Sequence, residues 1–136
     1  DETYKGFRME PDVEVILKSR WPTIESDPTL LRQVFRNLID NAIKFNHSSP
    51  KRVELGWRTG RDEHEFYVKD NGIGIARKDQ ERIFNVFERL HHREEYKGTG
   101  VGLAIVKKAM TKLGGTVRVE SSPGCGSTFF LIIPRL

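Results

Sequence analysis

Residues 27–45 read DPTLLRQVFRNLIDNAIKF, and this segment has the pattern of a helix that is packed on one side. Asp27 is a favourable N-cap, and Pro28 suits the first helical position, where a missing backbone N–H costs little. Apolar side chains recur with the helical period, at Leu31, Val34, Phe35, Leu38, Ile39 and Ala42. We therefore predict a helix from Pro28 to about Phe45 with one buried face.

Polar side chains occupy the opposite stripe of this helix, at Gln33, Asn37, Asp40, Asn41 and Lys44. Such a stripe is usually only the solvent side of an amphipathic helix. Two asparagines are nevertheless weak choices for a merely exposed face, because asparagine has a low helix propensity. Asn41 could offer an amide oxygen to a hard cation such as Mg²⁺, and Lys44 could neutralise phosphate. The stripe is therefore a candidate binding surface.

The remaining elements are mostly strands. Residues 1–10 lack a clear period and are interpreted as a leader or linker, ahead of one domain at residues 11–136. Strands are predicted at 13–17, 51–58, 64–69, 116–120 and 128–133, a short helix at 79–87, and a second long helix that opens at 98–102 and stops at 114–115. Strands in adjacent hairpins with only a few helices predict a mixed or antiparallel sheet covered on one face.

Composition excludes several classes of protein. The chain has 136 residues and a net charge of +4, with both signs of charge interspersed, which disfavours a nucleic-acid binder. The single cysteine, Cys125, excludes an internal disulfide and a cysteine-cluster metal site, and it fits a reducing, cytoplasmic compartment. No apolar run reaches the roughly 18 residues that a membrane span needs. We expect a soluble domain, whether its parent protein is soluble or membrane-anchored.

Glycine-rich segments point to a phosphate ligand. Gly98, Gly100 and Gly102 at a helix start could place backbone N–H groups beside an anion, although such turns often mark only a tight connection. A dinucleotide-binding turn is excluded because residues 93–97 are polar and not a hydrophobic strand, and no P-loop string occurs. Asp70, in Asp-Asn-Gly-Ile-Gly, could accept a hydrogen bond from an adenine amino group or could be an ordinary turn residue.

Five segments together resemble the ATP-binding catalytic domain of two-component sensor histidine kinases, within the group that includes gyrase-type, mismatch-repair and chaperone ATPases. They are an asparagine box at 37–45, a first glycine box at 70–74, a phenylalanine box at 83–87, a second glycine box at 98–102 and a third at 124–126. Residues 89–100 are also similar to phytochrome-type sensor kinases. The resemblance implies an α/β (α+β) two-layer sandwich, in which a mixed, largely antiparallel sheet of about five strands is covered on one face by three helices.

The resemblance also implies a ligand and a set of contacts. ATP would lie between the asparagine-box helix and a lid at residues 88–100, which we expect to become ordered on nucleotide binding. Asn41 would hold Mg²⁺, Lys44 would contact phosphate and Asp70 would bind adenine, with Asn37 lining the same site. Further contacts are expected from Gly72, Gly74, Ile75, Phe87, Arg89, Tyr96, Gly98, Thr99, Gly100, Val101, Gly102, Leu103 and Thr128.

Two positions bear on the reaction. The hydrolytic members of the group carry a glutamate four residues before the Mg²⁺-binding asparagine, whereas this chain has Asn37, which cannot act as a base. This difference favours a kinase. Gln33 stands where many sensor kinases have an acidic residue that helps to take a proton from the acceptor histidine, so the identity of the base stays open.

The expected function is transfer of the γ-phosphoryl group of Mg·ATP to a histidine in two-component signal transduction. The acceptor would lie on a separate helical dimerisation domain of the parent protein, because none of the four histidines here lies in a suitable helix. A response regulator would be an indirect partner, and this domain would be a monomer without nucleic-acid or direct membrane contact. The alternative is a nucleotide-responsive regulatory module without phosphotransfer.

Overall fold

A computed structural model describes residues 3–5, 13–18, 26–84 and 102–135. The described strands are β1 (Thr3–Lys5), β2 (Val13–Lys18), β3 (Lys51–Thr59), β4 (Glu63–Asp70), β5 (Thr116–Ser121) and β6 (Ser127–Pro134), and the described α-helices are α1 (Pro28–Lys44) and α2 (Gly102–Lys112). The five predicted strands and both long helices are confirmed within one or two residues at their described ends.

The strands form one sheet in the order β1-β2-β3-β4-β6-β5. Among the described strands only the β2–β3 pair is parallel, and α1 connects these two strands, as a parallel pair requires a crossover. All other neighbouring pairs are antiparallel. The mixed, largely antiparallel sheet is confirmed, with six strands where about five were expected. The additional strand is β1, which lies within residues 1–10, the segment interpreted as a leader or linker, and pairs with β2.

The two α-helices share a core with one face of the sheet. Alternate strand residues such as Val53, Phe66 and Leu131 are buried, and they pack with Leu38 of α1 and Met110 of α2. Leu103 and Leu113 of α2 are partly buried against this core. The two-layer α/β architecture follows from this packing, because each element buries only one side.

The helix predicted at residues 79–87 differs from the structure in its described part. Two 3₁₀ turns, Arg77–Asp79 and Arg82–Phe84, stand there in place of a continuous helix. The Gln80 side chain, between the turns, donates from Nε2 to the carbonyl oxygens of Ile75 and Ser121, both at 3.1 Å. These tertiary bonds hold the segment against the sheet edge, and local helix propensity does not decide its conformation.

Helix α1 begins as predicted. Asp27 Oδ1 accepts hydrogen bonds from the backbone N–H of Thr29 at 2.9 Å and of Leu30 at 3.2 Å, and Pro28 occupies the first turn. The buried residues of the helix are Val34, Leu38 and Ala42, so its polar stripe faces away from the sheet. None of the helices in the described part of the chain has the length and apolar character that a membrane span requires.

Candidate nucleotide-binding site

Asp70 stands at the end of β4, where the sheet gives way to the first glycine box (residues 70–74). Its Oδ1 accepts hydrogen bonds from the backbone N–H of Gly72 at 2.9 Å and of Ser127 at 3.2 Å. These two bonds fix the orientation of the carboxyl group. Within the described part of the chain no donor reaches Oδ2, so one oxygen of a half-buried, oriented carboxyl group is left to accept a hydrogen bond from a ligand.

Burial raises the pKa of Asp70 from 3.8 to about 6, and the two backbone hydrogen bonds only partly oppose this change. When this buried carboxyl group is ionised, it lowers the free energy of unfolding of the protein. Perturbed carboxyl groups of this kind are concentrated at functional sites. Asp70 is therefore a candidate recognition residue.

The first glycine box packs directly on the end of α1. The Ile73 N–H donates to the carbonyl oxygen of Phe45, the C-cap residue of α1, at 3.1 Å. A Cβ at Gly72 would overlap that same carbonyl oxygen, so only glycine allows this approach. The adenine-binding candidate Asp70 and the phosphate-binding candidates on α1 are thus joined by direct backbone contact.

Two asparagines add a second connection between these elements. Asn46 is buried, two residues after the end of α1, and its Nδ2 donates to Asn71 Oδ1 at 2.8 Å. The Asn71 side chain also accepts from the Arg52 N–H at 2.8 Å and donates to the Pro50 carbonyl at 3.1 Å. We call this set of contacts the Asn46–Asn71 bridge. It continues the β3–β4 pairing by one residue and attaches it to α1.

The third glycine box (residues 124–126) supports the first from the other side. The Gly124 N–H donates to the Ile73 carbonyl at 2.7 Å, and Ser121 Oγ accepts from the Ile75 N–H at 2.8 Å. Gly126 has a positive φ of 77°, and a Cβ at this position would overlap the Asp70 carbonyl oxygen. This box therefore has a structural role, since it fixes the backbone that carries Asp70.

The polar stripe of α1 borders the start of α2. A Cβ at Gly102, the first residue of α2, would lie 3.4 Å from Asn37 Oδ1, which places the Asn37 amide at the α2 N-terminus. Asn37 Nδ2 itself donates to the Gln33 carbonyl at 2.7 Å. An open groove of about 370 Å³ runs along this stripe and is lined by Thr29, Arg32, Gln33, Arg36, Asn37 and Asp40.

Asn41 is the predicted Mg²⁺ ligand on α1. It is half-buried, and its side-chain amide has no hydrogen-bond partner among residues 26–84 and 102–135. Over the same residues, no three His, Cys, Asp or Glu side chains are grouped as a metal site. An amide oxygen is a hard donor of the kind that Mg²⁺ accepts. Lys44 is exposed at the last turn of the same helix.

The structure brings together most of the described candidates and separates one of them. Gly72, Gly74 and Ile75 lie in or beside the first glycine box, and Leu103 follows Gly102 at the start of α2. The prediction that Thr128 contacts the nucleotide is corrected by its position in the sheet. Thr128 pairs with Lys69 and Glu120, whose side chains are exposed, and strand alternation places it on the sheet face opposite to Asp70. The predicted contacts that lie outside the described residues are Phe87, Arg89, Tyr96, Gly98, Thr99, Gly100 and Val101.

Sequence reasoning missed Ser127, Asn71 and Asn46. Ser127 is the buried neighbour of Thr128, and its N–H contacts Asp70 directly. The alternation of Ser127 with the core residues Phe129 and Leu131 is the signal that could have identified it. Asn46 carried no local signal, because its partner lies 25 residues away in sequence.

The chain matches a family of known proteins. Residues 26–136 match the family described as histidine kinase-, DNA gyrase B-, and HSP90-like ATPase. The chain is 48% identical over 113 residues to Cyanobacterial phytochrome A of Nostoc sp., covering 83% of this chain and 15% of that protein. It is 45% identical over 127 residues to the phytochrome-like protein Cph1 of Synechocystis sp., covering 93% of this chain and 17% of that protein. The chain therefore spans less than a fifth of these relatives' length.

Solved structures agree with this match. The mycobacterial sensor histidine kinase MprB superposes with a TM-score of 0.79 at 26% identity, covering 91% of this chain and 83% of that chain. Full-length ShkA, in complex with AMPPNP, superposes with a TM-score of 0.77 at 32% identity, covering 91% of this chain and 25% of that chain. The family resemblance predicted from the five segments is confirmed. The chain belongs to the histidine kinase-, DNA gyrase B-, and HSP90-like ATPase family and is a catalytic domain of the histidine kinase type.

Proposed function

We propose that this domain binds Mg·ATP and transfers the γ-phosphoryl group to a histidine on a separate helical phosphoacceptor domain of its parent protein. The observation that carries the proposal is the Asp70 carboxyl group. One of its oxygens is fixed by the Gly72 and Ser127 N–H groups, and the other has no donor within the described residues. An adenine amino group is a donor of the required kind.

The phosphate end of the ligand would lie along α1 toward the start of α2. Asn41 would hold Mg²⁺, which supplies charge neutralisation at the phosphates, and Lys44 would add a positive charge one turn away. The N-terminus of α2 carries a partial positive charge that favours an anion beside Gly102 and Asn37. Phosphoryl transfer requires mainly such positioning and charge stabilisation.

The groove along α1 would admit the acceptor. It runs along the helix surface that carries Asn37, and its exposed Arg32 and Arg36 have no ion pair among the described residues. A phosphoacceptor helix placed in this groove would bring its histidine beside Gln33 and Asn37. Full-length ShkA, which superposes on this chain over 91% of its residues, was solved in complex with AMPPNP, and this supports ATP as the ligand.

Calorimetric titration with AMPPNP, with and without Mg²⁺, tests the nucleotide site. Asp70→Ala is expected to weaken binding by roughly 1.5–3 kcal/mol, as for a lost hydrogen bond to a charged group. Ile133→Val is a suitable control, because Ile133 is a core residue that pairs with His64, far along β4 from Asp70. A folded Asp70→Ala variant that binds AMPPNP as tightly as the wild type would refute the adenine assignment.

The same preparation distinguishes the regulatory alternative. A nucleotide-responsive module would bind AMPPNP with Mg²⁺ but would transfer no phosphate to an acceptor domain. Gln33 is the residue that leaves this alternative open, because an amide cannot accept the acceptor's proton as a carboxylate can. Transfer of labelled phosphate to the acceptor histidine therefore separates the two functions.

A further inference from the structure

We propose that Asn46 is a positioning residue which, through Asn71, holds the adenine end and the phosphate end of the site at a fixed separation. This inference rests on the proposed function, because it assigns the two ends to one nucleotide. It concerns residues that would contact neither adenine nor phosphate. They are predicted to affect the affinity for a ligand that contacts both ends of the site at the same time.

The two ends of the site lie on different elements. Asp70 ends β4, whereas Asn41 and Lys44 lie in the last turn of α1. Outside the shared core, the first glycine box meets the end of α1 through the Ile73–Phe45 hydrogen bond and the Asn46–Asn71 bridge. A ligand that spans both elements binds more tightly when their separation is already correct, because ordering the two elements on binding would cost affinity.

Asn46 is well suited to this role by its burial and its hydrogen bonds. Only 2% of its surface is exposed. Its Nδ2 donates to Asn71 Oδ1, and its Oδ1 accepts from the Ser48 N–H at 2.8 Å. Ser48 Oγ in turn donates to the Asn71 carbonyl at 2.7 Å. A buried polar network in which these groups are paired allows little movement, because any shift leaves a polar group without a partner.

The Asn71 side chain transmits this constraint to Asp70. Asn71 follows Asp70 in sequence. Its side chain is fixed by hydrogen bonds with the Arg52 N–H in β3 and with the carbonyl of Pro50, the residue before β3. Removing the Asn46 amide leaves both of these bonds in place. The Asp70 carboxyl group would then keep its orientation toward adenine, while its link to α1 would be weakened. The variant therefore separates positioning from local folding of the glycine box.

The experiment compares two ligands on the Asn46→Ala variant. AMPPNP with Mg²⁺ engages both ends of the site, whereas adenosine engages only the adenine end. The affinity for AMPPNP is expected to fall about tenfold, in line with other residues that orient direct ligands, and the affinity for adenosine is expected to change less than about twofold. Binding is measured by calorimetry for AMPPNP and by NMR titration for adenosine.

Two further variants keep the test decisive. Ser48→Ala removes one bond of the same network. This variant is expected to show the same preferential loss of AMPPNP affinity, about threefold, and it replaces Asn46→Ala if Asn46→Ala fails to fold. Ile133→Val, which lowers core packing far from the site, is expected to change neither affinity.

The outcomes separate the two proposals. Equal losses for AMPPNP and adenosine, or no loss for either, overturn the positioning role and leave the nucleotide site intact. A wild-type protein that binds neither AMPPNP nor adenosine overturns the proposed function and the positioning role together. A selective loss of AMPPNP affinity in Asn46→Ala or Ser48→Ala supports both.

Discussion

Replacing Asp70 with asparagine is expected to stabilise the folded protein at neutral pH. Burial raises the pKa of the Asp70 carboxyl from 3.8 to about 6, so the folded state binds a proton more tightly than the unfolded state does. As pH rises from about 4 to 6, the unfolded state loses this proton first, and the free energy of unfolding falls. Above pH 6 the full cost of the buried carboxylate is present. Asparagine has the same shape and carries no charge.

The magnitude follows from the two pKa values. Each pH unit between them corresponds to about 1.36 kcal/mol, so the full cost of the ionised carboxyl is about 3 kcal/mol at pH 8. About half of this cost is already present at pH 5. Asparagine can still accept the Gly72 and Ser127 N–H bonds through its amide oxygen. Relative to the wild type, Asp70→Asn should therefore gain roughly 1 to 2 kcal/mol more stability at pH 8 than at pH 5.

Urea denaturation at pH 5 and pH 8 measures this difference, with equal m-values as the check that both proteins unfold alike. Asp62→Asn is the matched control. It removes the same charge from an exposed side chain in the β3–β4 turn and should change stability by no more than about 0.5 kcal/mol at either pH. A stability difference between Asp70→Asn and wild type that does not grow from pH 5 to pH 8 would refute the reasoning.

Three other predictions concern the glycine boxes, pH and the base. Gly126→Ala should lower the free energy of unfolding, measured by denaturation, by about 2 kcal/mol or more, because the new Cβ would overlap the Asp70 carbonyl. Gly124→Ala has a similar positive φ but open space around it, and should lower the free energy of unfolding by about 1 kcal/mol. Equal losses in the two variants would contradict the overlap. Calorimetric affinity for AMPPNP should decline as pH falls through about 6, where Asp70 takes up its proton; affinity that is constant from pH 7.5 to 5.5 argues against Asp70 as the adenine acceptor. Gln33→Glu should raise the rate of labelled phosphate transfer about tenfold or more; an unchanged rate excludes this position as that of the base.

Elements with a strong period could be predicted from the sequence. Helix α1 follows directly from its apolar repeat and from the Asp27 cap, whose hydrogen bonds the structure confirms. The strand predicted at 64–69, which the structure places at Glu63–Asp70, was also predicted from residue type alone. These features depend on neighbours in sequence, which is why the pattern was sufficient.

Features that depend on distant partners could not be predicted. The 3₁₀ turns at residues 77–84 are held by Gln80, which bonds to Ser121, 41 residues away. The Asn46–Asn71 bridge joins residues 25 positions apart in sequence, so neither residue shows its role in a local pattern. Strand β1 is only three residues long and is defined by its pairing with β2. In each case tertiary contacts decide the structure, and a local pattern contains too little information.

The most direct test of the proposed function is transfer of phosphate from γ-labelled ATP to the separately supplied helical phosphoacceptor domain of the parent protein. The domain described here should label the acceptor histidine in a Mg²⁺-dependent reaction, and Asp70→Ala should reduce that labelling in proportion to its loss of ATP binding. Absence of labelled histidine under conditions where AMPPNP binds with Mg²⁺ would contradict the kinase function and would favour a regulatory nucleotide-binding module.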